Sequence, residues 1–390
     1  MKIALLTHSV NPRGGVVHTL ELGEALRKAG HEVTVMAPAT LGQDFFRVTS
    51  CKVELIRIEN RLDTDLEDMV ERRINAYVLH LTNFLRVESF DIFHTHDGIG
   101  GNALIELKRL GLINHFVRTV HHLDDFLQPK LKLWQEASVL KAEKVLCVSN
   151  LWREKIARQF SIQAHLVNNG VDPERFRKVD LDLLEAIKKH LRIDLDGPMV
   201  LAMGGIEKRK NTLLLLEAFN IYRLQYPMAK LVIAGGATLL DHSEYVKEFN
   251  QRLTELGLNG EYLKSVIVTG PVDDSFVPGL YQLATVVAVV SVKEGFGLVT
   301  LESLCSGTPI AVSQIKPFTE YLTSEDCYWI DPKDAKSIAS GLTLATQQFD
   351  SQRVNRSAKL LAQAYSWKRS AATHVALYRQ ILVKENIACL

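Results

Sequence analysis

Short apolar runs recur along this chain, and each is closed by a polar or glycine-rich segment. Residues 2–7 form the first run and lead into the loop 8–15. The segment 16–29 then carries an apolar face of Val17, Leu20, Ala25 and Leu26 at helical spacing and stops at Gly30. Residues 31–37 make the next run, so the chain opens as strand, glycine loop, helix and strand, the way a parallel α/β sheet begins. Further strands are predicted over 53–58, 90–94, 116–120, 144–148 and 164–167, with a helix around 66–86. The strand-end loops carry the polar groups: His96-Asp97-Gly98, His121-His122-Leu123-Asp124-Asp125, Ser149, and Asn168-Asn169-Gly170-Val171-Asp172. In a parallel α/β sheet such loops face one crevice.

The second half repeats the pattern. A polar stretch rich in lysine and leucine runs from Asp172-Pro173 to Gly197-Pro198 and reads as a connector. A strand over 199–203, the loop 204–211 and an apolar helix over 212–222 open a second sheet. Strands follow over 230–234, closed by Gly235-Gly236-Ala237, then over 266–269 and 286–290. Residues 291–310 read S-V-K-E-G-F-G-L-V-T-L-E-S-L-C-S-G-T-P-I, with a helix predicted from near Leu298, ended by Gly307-Thr308-Pro309, and a strand at 310–312.

Composition narrows the class. At 390 residues, two domains are expected, and 47% hydrophobic with 23% charged residues is a globular composition. The formal charge of +1 offers no field for capturing a polyanion, which argues against a nucleic-acid binder. Cys51, Cys147, Cys305, Cys327 and Cys389 are scattered without metal-ligand spacing and read as free thiols in a reducing compartment. The first apolar run is interrupted by Thr7, His8 and Ser9, so it reads as a buried strand rather than a signal peptide. No apolar stretch reaches the ~20 residues needed to span a bilayer, and a cytoplasmic location is expected, with peripheral membrane contact left open.

Several loops have candidate chemistry. Gly14-Gly15 stands where a strand-end loop meets a helix start, so its amides can approach an anion or sugar; a plain turn explains the pair equally well. His96, His121, His122, Asp124 and Asp125 lack convergent ligand spacing and are not assigned to a metal, and His121 reads as a strand-end hydrogen-bonding group. The loop Gly204-Gly205-Ile206-Glu207-Lys208-Arg209-Lys210-Asn211 sets three cations against a helix start, where Arg209 can fork onto phosphate oxygens and Lys210 can act as a point charge. Glu294 stands at the mouth of the next helix and Glu302 about one turn inside it, suited to different hydroxyls of one polyol. Gly295 and Gly297 open the backbone to phosphate there. These features alone also permit an epimerase, another phosphate-handling enzyme or a sugar sensor.

Over nearly its full length the chain resembles the retaining glycosyltransferases of family 4, which share the GT-B architecture with glycogen synthases. The resemblance is carried by Gly14-Gly15-Val16, His121, Asn169-Gly170-Val171-Asp172, Glu294-Gly295-Phe296-Gly297 with Glu302, and Cys305-Ser306-Gly307-Thr308-Pro309. It implies an α/β GT-B fold: two Rossmann-like domains facing a central cleft, an acceptor-side domain over 1–178 completed by about 366–390, and a nucleotide-sugar-binding domain over 179–365. Tyr365-Ser366-Trp367 and the helix after it resemble the family's terminal crossover, with Trp367 read as packing.

The resemblance also implies roles. Gly14 and Gly15 would lie near the donor phosphates and the reacting centre, His121 near the transferred sugar, Glu294 on its hydroxyls and Glu302 on the ribose. Amides of Gly295, Phe296, Gly297 and Leu298, with Lys210 and Arg209, would meet the diphosphate. His121, Glu294 and Lys210 would carry catalysis. The co-substrate is a nucleotide-diphosphate sugar, with no tightly bound cofactor, no metal, and an acceptor hydroxyl the sequence does not identify; Asp63-Thr64-Asp65 is no D-x-D metal motif in this setting, and acceptor choice is assigned to loops such as 61–86 and Asp124-Asp125. Many relatives have an arginine where this chain has Gly205, so Arg209 is the candidate replacement. A non-catalytic nucleotide-sugar sensor is the rival reading, and a glycan phosphorylase a weaker one.

Overall fold

The computed structural model describes every residue except 61, 62, 64, 237–242, 260–264, 389 and 390. Arg61, Thr64, Ala237 and Cys389 therefore lie outside the described residues. The chain divides into two units, Met1–Gly170 with Tyr365–Leu390, and Val171–Ala364.

In the first unit the central strands are buried along most of their length, because helices cover both faces of their sheet. They are β1 (Lys2–Leu6), β2 (Glu32–Ala39), β3 (Lys52–Arg57), β4 (Ile92–Thr95), β5 (Val117–Val120), β6 (Lys144–Cys147) and β7 (His165–Leu166), all paired in parallel in the order β3-β2-β1-β4-β5-β6-β7. Between them run α1 (Gly14–Lys28), α2 (Leu66–Phe84), α3 (Gly98–Arg109), α4 (Pro129–Leu140) and α5 (Asn150–Phe160). Along β1, Ile3 and Leu5 pack with Leu20, Leu22 and Leu26 of α1, while Ala4 and Leu6 face Ile74, Tyr77 and Leu81 of α2 and Leu104 and Leu107 of α3. The alternation is the two-residue period of a strand.

The terminal helix, Trp367–Ala388, belongs to this unit and closes the α1 face, where Ala371, Leu377, Tyr378 and Ile381 join the core of Ile3 and Leu5. Ser370 donates its hydroxyl to the carbonyls of Val167 (2.9 Å) and Asn168 (2.8 Å), fixing the helix start against the end of β7. Trp367 is buried edge-on against His18, as its packing role predicts. Asp63 binds Arg72 and Asp65 caps α2 through the Asp68 amide, so both acids serve the fold.

The second unit holds a six-stranded parallel sheet of β8 (Met199–Met203), β9 (Lys230–Ala234), β10 (Val266–Gly270), β11 (Val286–Val289), β12 (Ile310–Ser313) and β13 (Tyr328–Ile330), ordered β10-β9-β8-β11-β12-β13. Its helices are α6 (Leu181–Leu191), α7 (Thr212–Tyr222), α8 (Ser243–Glu255), α9 (Val277–Leu283), α10 (Leu298–Cys305), α11 (Ala335–Gln347) and α12 (Ser351–Ala364). Leu215, Leu216 and Phe219 of α7, Phe249 of α8, and Ile338 and Leu342 of α11 pack one face of the sheet against Val200, Ile233, Val286 and Ala288. Complete burial of one such side chain contributes roughly 1.5–3 kcal/mol.

Two local readings change. Gly14 and Gly15 are the first residues of α1 and not part of the preceding loop, because neither needs a left-handed backbone and the Arg13 carbonyl already accepts from the Val17 amide at 2.8 Å. Lys208–Lys210 wind into a single 3-10 turn before α7.

Candidate active site

Sheet order decides which loops meet. In the second unit β8 and β11 are neighbours, but the chain leaves β8 toward β9 on one side and β11 toward β12 on the other. The loops leaving such a pair diverge and open a crevice at the carboxyl ends of the strands, the usual ligand position in an open α/β sheet. Here those loops carry Lys210 and Glu294.

Lys210 Nζ donates to Glu294 Oε1 at 2.6 Å, Arg209 Nη1 lies 2.9 Å from Oε2, and Ser291 donates its hydroxyl to Oε1 at 2.9 Å. Arg209 also reaches Glu207, itself nearly buried, at 3.2 Å. Glu294 is 7% exposed. Burial alone raises its pKa, but the charges of Lys210 and Arg209 and the hydrogen bonds outweigh that and bring it down to about 2. The carboxylate is thus ionised throughout the neutral range and acts as an acceptor, not an acid.

The backbone shapes the same place. The amides of Gly204 and Gly205 both bond the Ala234 carbonyl, at 2.7 and 3.2 Å. Gly205 has φ +77°, and a Cβ there would stand 3.0 Å from the Gly236 carbonyl oxygen. A side chain at this position is strained by the turn as built, and four residues on Arg209 directs its guanidinium to Glu207 and Glu294. Gly297, φ +97°, precedes α10 without a side-chain cap; the Thr300 amide bonds the Gly297 carbonyl at 3.1 Å, and the amides of Leu298 and Val299 ahead of it lie at the open helix start. A Cβ on Gly297 would fall 2.3 Å from the Phe318 ring. Tyr321 stacks on Phe296 at 4.8 Å between centroids and donates to the Phe296 carbonyl at 2.9 Å, holding the E-G-F-G turn. Glu302, one turn into α10, accepts from the Tyr281 hydroxyl at 2.7 Å.

In the first unit the corresponding divergence lies between β1 and β4. It gathers His18 from α1, His96 after β4 and His121 after β5, whose ligand-capable nitrogens all lie within 4.8 Å of one another. Gly15 abuts His121: a Cβ on Gly15 would touch the ring at 3.5 Å. His121 and His96 are linked Nε2 to Nδ1 at 3.2 Å, and His18 Nδ1 lies 2.9 Å from Asn169 Oδ1. Burial, reinforced by the neighbouring imidazoles, holds His96 and His121 well below the usual histidine range and His18 at about 3, so all three are neutral. His122 turns away to Asp124, 3.5 Å off and half exposed. Behind the cluster His94 bridges the Tyr378 hydroxyl at 2.6 Å and Thr119 at 2.8 Å.

Sequence reasoning missed His18, Ser291, Glu207 and Tyr281 as neighbours of the site residues. His18 had a signal, since it follows Gly15 by three residues and so returns to the same end of α1. Glu207 and Ser291 touch Arg209 and Glu294 two and three positions away in loops without a regular period, and only Tyr281, 21 positions from Glu302, depends on the fold to reach its partner. Four cysteines, Cys51, Cys147, Cys305 and Cys327, are free thiols, and burial pushes Cys51 up to about 11 and Cys305 to about 12. Among the described residues no helix is long and apolar enough to cross a membrane.

The two doubly wound sheets with a terminal helix returning to the first unit make up the GT-B fold. Residues 12–175 match Glycosyltransferase Family 4 and residues 185–359 match Glycosyl transferases group 1. The chain belongs to the family-4 glycosyltransferases and is an enzyme using a nucleotide sugar. It is 27% identical to an uncharacterized glycosyltransferase of Methanocaldococcus jannaschii, over 97% of this chain and 98% of that one. In structure it is similar to sucrose-phosphate synthase from Thermosynechococcus elongatus (TM-score 0.78, 20% identity, 98% and 99% of the two chains). It is also similar to Anabaena HepE in complex with UDP-glucose (TM-score 0.72, 17% identity, 100% of both chains).

Proposed function

We propose that the enzyme is a retaining hexosyltransferase that moves a sugar from a nucleoside-diphosphate sugar to an acceptor hydroxyl. The observation that carries this reading is the convergence of Lys210 and Arg209 on buried Glu294 beside the uncapped start of α10. Donor binding falls to the second unit, Val171–Ala364, and acceptor recognition to the first.

Before donor arrives, Glu207 and Glu294 neutralise the two cations. A diphosphate brings more negative charge and more acceptor oxygens, and Lys210, Arg209 and the amides of Phe296, Gly297 and Leu298 turn to it. Glu294, fixed as an anion, accepts from hydroxyls of the sugar, and Glu302 from those of the ribose. Gly15 leaves room by the reacting centre, while His121, neutral, hydrogen-bonds the transferred sugar.

As the bond from the anomeric carbon to the leaving phosphate oxygen lengthens, the sugar takes on oxocarbenium character and the phosphate gains charge. The positioned cations and amides stabilise that charge without a metal. The acceptor oxygen bonds the anomeric carbon on the face the phosphate leaves, and its proton passes to the departing phosphate oxygen, so configuration is retained and no side-chain nucleophile is needed. The reaction is placed in a reducing, cytoplasmic setting, in which Cys51, Cys147, Cys305 and Cys327 stay as thiols. HepE, whose complex contains UDP-glucose, makes uridine donors the first to try.

The test is Glu294→Ala assayed against a panel of nucleotide sugars. Loss of the anion that holds the sugar lowers kcat/KM by about 100-fold, the scale of one positioned electrostatic group, with the fold retained by circular dichroism. Unchanged transfer kinetics remove Glu294 from the site.

A further inference from the structure

The histidine cluster of the first unit has a donor set that sugar transfer does not use. We propose that His18, His96 and His121 form a binding site for a transition-metal ion of the zinc type, held by three imidazoles with one position left open. Their candidate nitrogens already lie within 4.8 Å of one another, and His96 Nδ1 and His121 Nε2 are 3.2 Å apart. Zinc–nitrogen bonds of about 2.0–2.1 Å in a tetrahedron place donors roughly 3.4 Å apart, so small ring movements suffice.

Two further observations point to a ligand. His18 is fully buried, yet its Nε2 has no hydrogen-bond partner among the described residues. A buried ring nitrogen without a partner is costly unless something binds it. Asn169 supplies the other half of the design for His18: its Oδ1 takes the Nδ1 proton, which puts the lone pair on Nε2. The hydrogen bond between His96 Nδ1 and His121 Nε2 puts a proton on one of these two nitrogens, and metal binding shifts it to the other nitrogen of the same ring. Imidazole donors without carboxylates favour zinc, cobalt, nickel or copper over magnesium and calcium.

Because His121 is one of the three, bound metal withdraws it from the transferred sugar and inhibits transfer. That consequence rests on the role proposed for His121; metal binding itself does not.

The experiment uses the full-length chain, stripped with a chelator and titrated with zinc(II) or cobalt(II) alone. Binding is read by calorimetry and by the visible absorption of cobalt, which intensifies in a four-coordinate site. One ion per chain is expected, with affinity reduced at least about ten-fold in His18→Gln and in His96→Gln. Each variant is checked by circular dichroism, and X-ray absorption on the zinc-loaded wild type, expected to show three imidazole donors, decides the matter if a variant does not fold. The proposal is overturned if no ion binds at one per chain. It is equally overturned if both substitutions leave binding intact while His122→Gln abolishes it, which moves the ion to the exposed His122–Asp124 pair. If metal binds as expected but transfer in its presence is unaffected, the site stands and the role of His121 in transfer is withdrawn.

Discussion

Lys210 and Glu294 stand 84 positions apart in the chain and meet at 2.6 Å, Nζ to Oε1. The first follows β8, the second follows β11, and these strands are neighbours whose chains depart in opposite directions. A sheet wound outward from its middle sets β8 and β11 side by side although residues 204–285 of the chain lie between them, and so brings the two following loops to one place. The pair is also asymmetric in function: the cation is suited to a leaving phosphate, whereas the anion is suited to hydroxyls.

The carboxylate of Glu294 titrates near 4.5 when unfolded and about 2 when folded, through the charges of Lys210 and Arg209 acting against its burial. The ionised form is therefore favoured by folding, a contribution fully present above pH 4.5 and lost as pH falls toward 2, at ~1.4 kcal/mol per pH unit. Urea unfolding of wild type and Glu294→Gln from pH 6 downward should show a stability gap that is constant above pH 4.5 and narrows below it. A gap independent of pH throughout would mean the ion pairs do not hold the carboxylate.

Restoring the arginine seen in many relatives should harm this protein. At Gly205, φ +77° and the carbonyl oxygens of Gly235 and Gly236 at 3.1 and 3.0 Å oppose any side chain. Gly205→Arg is expected to destabilise by about 1–2 kcal/mol, the cost of a left-handed backbone, and to leave donor affinity no better than wild type. A lowered melting temperature with unimproved donor binding supports the relocation of the charge to Arg209; tighter binding at full stability contradicts it.

Gly297→Ala tests the turn that opens α10. Its new methyl would meet the Phe318 ring at 2.3 Å with the backbone at φ +97°. Overpacking of this kind costs roughly 1–3 kcal/mol, and displacement of the helix start should raise the KM for donor. Thermal unfolding and donor saturation curves measure the two effects, and a variant normal in both would show that the turn is not held as described.

Much of this was legible in the sequence because strands buried on both faces are written as unbroken apolar runs. The runs at 199–203 and 230–234 and the helix at 212–222 coincide with β8, β9 and α7. The start of α10 at Leu298 was readable from the glycines ahead of it. Helices α4 and α5 were not, since α4 buries only Leu131, Ser138 and Val139, and α5 only Trp152 and Ile156, too few to print a period. At the site, Glu294 and Lys210 were visible as chemistry, but their partnership was not, because sheet order sets it. Glu207 and Ser291 looked like ordinary loop residues until the fold placed them on Arg209 and Glu294.

The central claim is transfer with retention from a nucleotide-diphosphate sugar, and product stereochemistry tests it most directly. Enzyme treated with a chelator is incubated with donors carbon-13 labelled at the anomeric position and a panel of hydroxyl acceptors, and the reaction is followed by nuclear magnetic resonance. The account predicts release of nucleoside diphosphate in step with a glycoside whose anomeric configuration is that of the donor, and loss of both in Glu294→Ala. A product of inverted configuration, or saturable donor binding with no turnover on any acceptor, would contradict it.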